Sequence, residues 1–319
     1  MKTILPPPSE ESRQLAIRYG YDEWLVTRFL QYVPRVQEFL EKMDKEPTQY
    51  IRVNTLKTSA EELRERLAAK GFVIRQTNLP EVLSVSVSPM SVGATSEYLL
   101  GHYYVQDLSS CIAVDALDAK PDQTVLDIAA APGGKTTMIA QRMDNTGCIV
   151  ALEPNARRAR SMSFNLARCG VSNTCVLLDD GHKVAKLGMK FDRVLLDAPC
   201  SCEGVIARDV TRKTSHEPSD VEFCSNLQET LIEAAASVVR PGGVLVYSTC
   251  SFAPEENEAV VQSLLQRLAG FSIEPIKFGV SGLAGFQNMD FGSAMKNTRR
   301  LYPHLHDSTG FFVAKLRLD

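Results

Sequence analysis

Residues 124–137 read TVLDIAAAPGGKTT. The apolar run from Thr124 to Ile128 carries one carboxylate, Asp127, and passes through Ala129, Ala130, Ala131 and Pro132 into the paired glycines Gly133 and Gly134. A helix is expected from Gly134. A short apolar strand, a Gly-rich turn and a helix make the opening unit of a doubly wound α/β sheet, where a ligand's polar end meets backbone at the carboxyl end of the strand. Gly133 and Gly134 lack the Cβ atoms that would block that approach. A phosphate-binding P-loop is the rival reading, since Gly134, Lys135 and Thr136 match its end. It requires glycine at position 129, where this chain has Ala129.

Outward from this turn, strands and helices alternate. GCIVALEP (147–154) precedes a helix from Asn155, and NTCVLLDD (173–180) is a third strand. FDRVLLDAP (191–199) precedes a helix over 221–239, and VLVYSTCS (244–251) precedes a helix from Pro254. GFFVAKLRLD (310–319) reads as a last, antiparallel strand. Apolar runs alternating with helices predict an α/β sheet with helices on both faces. Upstream, residues 9–43 read as two or three amphipathic helices. Residues 44–105 form a small α+β unit whose helix starts at Ser59, with Glu62 at capping-box spacing, and closes at Gly71. The expected boundaries are 1–106 for the helices plus the small unit and 107–319 for the large domain.

Composition limits the function. The chain has 319 residues, 44% hydrophobic and 23% charged, and a net charge of −3, so a nucleic-acid partner must be held by a local basic surface. No apolar run approaches the roughly 20 residues of a spanning helix, and MKTILPPPSEESRQ (1–14) meets Pro and Glu before a signal h-region forms. A cytoplasmic protein is expected. The 8 cysteines include no CxxC pair and stand with 5 histidines, which argues against a disulfide framework or a zinc cluster. Cys111, Cys148, Cys169, Cys175 and Cys224 read as small hydrophobes. Cys200, Cys202 and Cys250 remain.

The second strand ends in Glu153, placed to accept hydrogen bonds from ribose hydroxyls; the third ends in Asp179-Asp180 and the fourth in Asp197. One carboxylate at a strand end is ordinarily a helix cap. Carboxylates at four successive strand ends, facing a glycine turn, fit a ligand with an amine, a ribose and an adenine edge. Cys200 in DAPCS and Cys250 in YSTCS lie where strands hand over to loops, a setting that suits a reactive thiol.

Taken together, the APGGKT loop (131–136), the DAPC segment (197–200) and Thr249-Cys250 resemble the Sun-domain family of RNA cytosine-5 methyltransferases. The likeness extends to IRVNTLK (51–57), YYVQDLSS (103–110) and RRLYPH with GFFVAKL near the end, and it is strongest to compact archaeal members acting on tRNA. Cys202-Glu203-Gly204 departs from the Gly-rich stretch of many members. The resemblance implies a Rossmann-like S-adenosylmethionine-dependent domain behind a small RNA-recognition-like unit. It assigns Cys250 to covalent attack on cytosine C6, Asp197 to the N3/N4 edge of the base, and Cys200 to loss of the C5 proton. Lys135 would favour the Cys250 thiolate. The cofactor would lie on Ala129 to Lys135, Glu153, Arg158, Asp180 and Asp197. RNA contact is expected from Arg52, Lys57, Arg208, Arg212, Lys213, Arg299 and Arg300, with tRNA as the substrate and rRNA as the alternative. A metal-free monomer is expected. A non-catalytic RNA-binding or ribosome-assembly factor would not need the cysteines and the APGGKT loop. A methyltransferase for protein or small molecules would not need paired cysteines, because nitrogen and oxygen acceptors require no covalent addition.

Overall fold

The computed structural model describes residues 3–319. Three helices come first: α1 (Glu10–Tyr19), α2 (Glu23–Tyr32) and α3 (Val36–Met43). The small unit follows with β1 (Gln49–Val53), α4 (Ala60–Ala68), β2 (Val73–Gln76), β3 (Val82–Val87), α5 (Ser96–Leu99) and β4 (Tyr103–Val105). Its strands form an antiparallel sheet in the order β2-β3-β1-β4. Ser59 caps α4 by accepting from the Glu62 amide, but the Glu62 carboxylate turns to the Thr58 hydroxyl at 2.8 Å, so half of the capping box forms.

The large domain runs α6 (Leu108–Leu117), β5 (Thr124–Ile128), α7 (Gly134–Arg142), β6 (Cys148–Leu152), α8 (Ala156–Cys169), β7 (Thr174–Leu177), β8 (Phe191–Asp197), α9 (Pro218–Ser237), β9 (Val239–Thr249) and α10 (Glu258–Arg267). It closes with β10 (Phe271–Glu274), the two-residue strands β11 (Val280–Ser281), β12 (Gly285–Phe286) and β13 (Met289–Asp290), then β14 (Arg299–Leu301), α11 (Pro303–His306) and β15 (Phe311–Leu318). Strand order is β11-β14-β15-β9-β8-β5-β6-β7, with β10 also on β15. Strands β5 to β9 are mutually parallel, and β15 is antiparallel to β9.

Alternate residues of each central strand go to opposite faces, and both faces are apolar. Val125, Ile149, Leu195 and Val246 pack with α6 and α7; Leu126, Val150, Leu196 and Tyr247 pack with α9 and α10. That second face also receives α1 to α3. Phe29 and Phe39 meet Phe252 edge-on at 5.9 and 5.2 Å, so the N-terminal helices belong to the core of the large domain. Ile51, Leu63, Leu67 and Phe72 give the small unit a core of its own.

Two helix starts differ from expectation. α9 begins at Pro218, where proline takes the first turn and Glu217 and Asp220 form a capping box. After Thr249 a single 3₁₀ turn, Pro254–Glu256, precedes α10. The reason is Asn257, whose side chain accepts from the Thr249 hydroxyl at 2.6 Å and donates to the Ser251 carbonyl at 2.9 Å. Those bonds hold its backbone at φ −115, ψ −96, outside the helix.

Candidate active site

The strand order reverses between β5 and β8, whose neighbours run β6-β7 on one side and β9 on the other. Crevices outside the carboxyl ends of strands at such a switch point are where open α/β sheets bind ligands. Here a cleft of about 300 Å³ is lined by Ala129 to Pro132, Gly134, Lys135, Asp197, Arg208 and Cys250. Ala129 adopts φ +61, left-handed backbone that glycine takes freely and alanine takes at a cost of about 1–2 kcal/mol. The glycines also serve packing. A Cβ on Gly133 would lie 2.9 Å from Met162 Cγ, and one on Gly134 3.2 Å from the Tyr104 ring, so both permit close packing of α8 and β4 on the turn.

The strand-end carboxylates share one rim but differ in state. Asp127 is buried and accepts from the Thr136 hydroxyl at 2.6 Å; burial pushes its carboxyl up to about 7, so it secures the turn. Glu153 is also buried. Its Oε1 accepts from the Asn155 amide at 2.9 Å, while Oε2 has no hydrogen bond and sits 3.4 Å from Arg158. Arg158 donates to the Ala131 carbonyl at 2.8 Å, tying the glycine turn to α8. Asp180 is half-exposed and accepts from the His182 amide and ring, bonds that hold its pKa below the usual range. Asp197 takes the Lys135 ammonium at 2.5 Å on Oδ2 and the Ser248 hydroxyl at 2.7 Å on Oδ1. Burial alone would lower the Lys135 pKa, but Asp197 outweighs it and the lysine stays protonated.

Three sulfurs meet where β8 and β9 end. Cys200 Sγ is 3.1 Å from Cys250 Sγ and 3.8 Å from Cys202 Sγ. Hydrogen bonds to Cys202 and Cys250 push the Cys200 thiol up, and bonds to Cys200 and then Cys250 lower Cys202. For Cys250 the bond from Cys200 favours the thiolate, but Cys202 and burial outweigh it and raise the pKa. Cys202, a residue whose role the sequence left open, also donates to the Cys200 carbonyl at 3.2 Å.

The sequence reading missed the carboxylates behind these loops. Glu256 accepts from the Ser201 amide at 2.9 Å, from Gln228 at 2.9 Å, from the Ser251 hydroxyl at 2.6 Å and from the Ser201 hydroxyl. Ser201 and Ser251 each follow a cysteine, so one carboxylate fixes both cysteine loops. Glu203 adds a bond from the Phe252 amide at 3.1 Å, and the Gly204 amide donates to the Cys250 carbonyl at 2.7 Å. The signal was PEEN at 254–257, a proline followed by three acidic or amide-bearing residues and therefore easily read as a helix start.

The basic residues divide. Arg52 is fully buried and donates to Gln106, Thr137 and the Gly134 carbonyl; it supports the glycine turn and is not an RNA contact. Arg300 is fully buried against Glu258 and likewise is not one, because no phosphate reaches it. Lys57 spends its ammonium on the Leu100 and Arg168 carbonyls, and Lys213 on Tyr19 and Asp44. Arg212 holds the Ser201 carbonyl at 3.0 Å, and Arg299 holds the Lys296 and Thr298 carbonyls. Arg208 is half-exposed on the cleft wall, 2.7 Å from Asp107.

Sheet order, turn and rim together define a Rossmann-like methyltransferase domain behind a ferredoxin-like unit. The family model of the 16S rRNA methyltransferases RsmB/F matches residues 114–317, and its ferredoxin-like domain model matches residues 21–91. The chain belongs to this RsmB/F, or Sun-domain, family of RNA cytosine-5 methyltransferases. A 28S rRNA (cytosine-C(5))-methyltransferase of Mus musculus is 40% identical over 97% of this chain and 40% of its own length. A tRNA (cytosine(49)-C(5))-methyltransferase of Pyrococcus abyssi is 37% identical over 88% of this chain and 91% of its own. A crystal structure of a methyltransferase homolog protein from Pyrococcus horikoshii, 38% identical, superposes with a TM-score of 0.89 over 98% of this chain and 100% of that one. The chain thus spans less than half the length of the mouse relative.

Proposed function

We propose that the protein forms 5-methylcytosine in RNA, with Cys250 as covalent nucleophile. The observation that carries this reading is the pair of sulfurs 3.1 Å apart, Cys200 and Cys250, of which Cys250 lines the same cleft as the Lys135–Asp197 ion pair.

Carbon 5 of cytosine is a weak nucleophile until C6 is attacked. Cys250 releases its proton to solvent, and the thiolate adds to C6 and moves electron density onto the ring. Asp197, held by Lys135 and Ser248, keeps lone pairs on both oxygens for the N4 amino edge of the base. S-adenosylmethionine, when bound, supplies the methyl group as an electrophile. Cys200, as the thiolate after releasing its own proton to solvent, then takes the C5 proton; the C5–H electron pair re-forms the C5–C6 double bond and expels the Cys250 thiolate, and 5-methylcytosine leaves. Glu256 keeps both sulfurs in place throughout, so little rearrangement is needed between steps.

The residues present fit the cofactor. Glu153 offers a buried oxygen without a hydrogen bond, suited to a ribose hydroxyl; Asp180 stands half-exposed at the next strand end, suited to an adenine edge; and the 129–135 turn borders the cleft. A stacked cytosine must swing out to enter, at a cost of a few kcal/mol that favours loops and junctions. A groove of about 750 Å³ along the small unit, lined by Tyr50, Arg75, Ser84 and Ser86, shares Gln106, Asp107 and Arg208 with the cleft and offers the strand a path. Eight free cysteines suit a reducing compartment, the cytoplasm in this reading. Among the described residues no helix is long and apolar enough to cross a membrane.

For the substrate we favour tRNA, supported by the Pyrococcus abyssi relative that matches along 91% of its length; the 40% identity to the mouse 28S rRNA enzyme favours rRNA as the second reading. Incubation with methyl-labelled S-adenosylmethionine and separated tRNA and rRNA tests both. Labelled 5-methylcytosine after digestion of one pool is expected. Label in neither pool, or on another nucleoside, would overturn the assignment.

A further inference from the structure

We propose that Cys200, Cys202 and Cys250 together bind a thiophilic divalent cation of the zinc type at the floor of the cleft. Any one cysteine would be weak ground, but these three sulfurs all lie within 4.8 Å of one another, and none is fully buried. Two thiolates bound tetrahedrally at about 2.3 Å from zinc are separated by about 3.8 Å. Cys200 and Cys202 already stand at 3.8 Å, and Cys250 must move from 3.1 Å by less than one ångström.

A second observation concerns the backbone. Cys202 adopts φ +65, ψ 31, left-handed territory where a side chain costs about 1–2 kcal/mol and glycine costs little. The chain carries a thiol there nonetheless, and uses the strained turn to aim it at Cys200. Water would complete the fourth position. Binding expels the thiol protons, so affinity rises with pH, and it occupies both sulfurs assigned to the reaction.

Reduced full-length protein is titrated with Zn²⁺ against a chromophoric chelator, and with Co²⁺ as an optical probe. One ion per chain is expected, with a thiolate-to-cobalt charge-transfer band. Cys202→Gly, which suits φ +65 and therefore spares the fold, should weaken zinc binding by about 100-fold or more. Cys202→Ser, which keeps the side-chain volume, should do the same. Zinc should also slow alkylation of Cys250 while leaving the exposed Cys175 reactive. Equal zinc affinity in wild type and Cys202→Gly, absence of the cobalt–thiolate band, or unprotected Cys250 would overturn the proposal. None of these readouts depends on methyl transfer.

Discussion

At the ends of β8 and β9 both oxygens of Glu256 are satisfied from within the protein, whereas at the end of β6 one buried oxygen of Glu153 is left open. Glu256 alone gathers four donors from the two cysteine loops and α9. Phe252, just beyond Cys250, is wedged between Phe39 and Tyr302, and Arg300 holds its carbonyl at 2.8 Å. Glu153 is equally buried, yet its Oε2 has only the distant approach of Arg158 at 3.4 Å. One end is fixed before any ligand arrives, as bond-making groups must be. The other keeps an acceptor oxygen without a hydrogen bond, as a binding group must.

Five substitutions test this contrast and its surroundings, in falling order of effect. Glu256→Gln puts an NH₂ among groups that all donate, so both cysteine loops should shift. The rate of methyl transfer in a single turnover should fall by about 100-fold or more, with cofactor affinity intact. A rate within threefold of wild type, on the order of 0.6 kcal/mol, would mean the sulfurs need no such clamp. Glu153→Ala should do the converse, weakening S-adenosylmethionine by about 10- to 100-fold in calorimetry while Cys250 remains alkylated at its normal rate. Unchanged affinity would move the cofactor away from this end.

Arg208→Ala bears on the approach between the two ends. It should lower the slope of log affinity against log salt for single-stranded RNA by about 0.7, the share of one phosphate. Arg300→Lys, by contrast, should leave the slope alone and lower thermal stability, because Arg300 is buried with Glu258. The reverse outcome would return Arg300 to the RNA surface.

The smallest effect is on pH. Asp127 is raised to about 7 in the folded protein by burial, against about 3.9 for a free aspartate. Between those values the native state holds a proton that the unfolded chain has lost, so this group's stabilisation is complete below about 4 and is lost as pH rises through 7. Asp127→Asn keeps an acceptor for Thr136 and should narrow the difference in melting temperature between pH 5 and pH 8 by about 2–4 °C. An unchanged difference would assign the pH dependence to other groups, such as Glu203, whose carboxyl burial pushes up to about 8.

Much of this was legible in the sequence because it rests on local pattern. Apolar runs at Val125 to Ile128 and Val194 to Leu196 mark strands buried on both faces, and the carboxylates that end them fall on one rim because the strands are parallel. Long-range partnerships were not legible. Arg52 and Arg300 look like surface charges in a one-dimensional reading, and only packing shows that Gly134 and Glu258 claim them. Glu256 is 55 residues from Ser201, a separation at which no local spacing rule applies. Cys202 stood out as a departure from the resemblance, but its nearness to Cys250 depends on how the 200–204 and 250–252 loops are stitched together.

The central claim is that Cys250 makes the bond to the base and Cys200 ends it. Denaturing electrophoresis of Cys250→Ala and Cys200→Ala incubated with RNA and S-adenosylmethionine tests it most directly. Cys200→Ala should accumulate a protein–RNA adduct that survives denaturation, because the C5 proton is not removed, and Cys250→Ala should form none. An adduct in Cys250→Ala with none in Cys200→Ala would contradict the account and exchange the two roles.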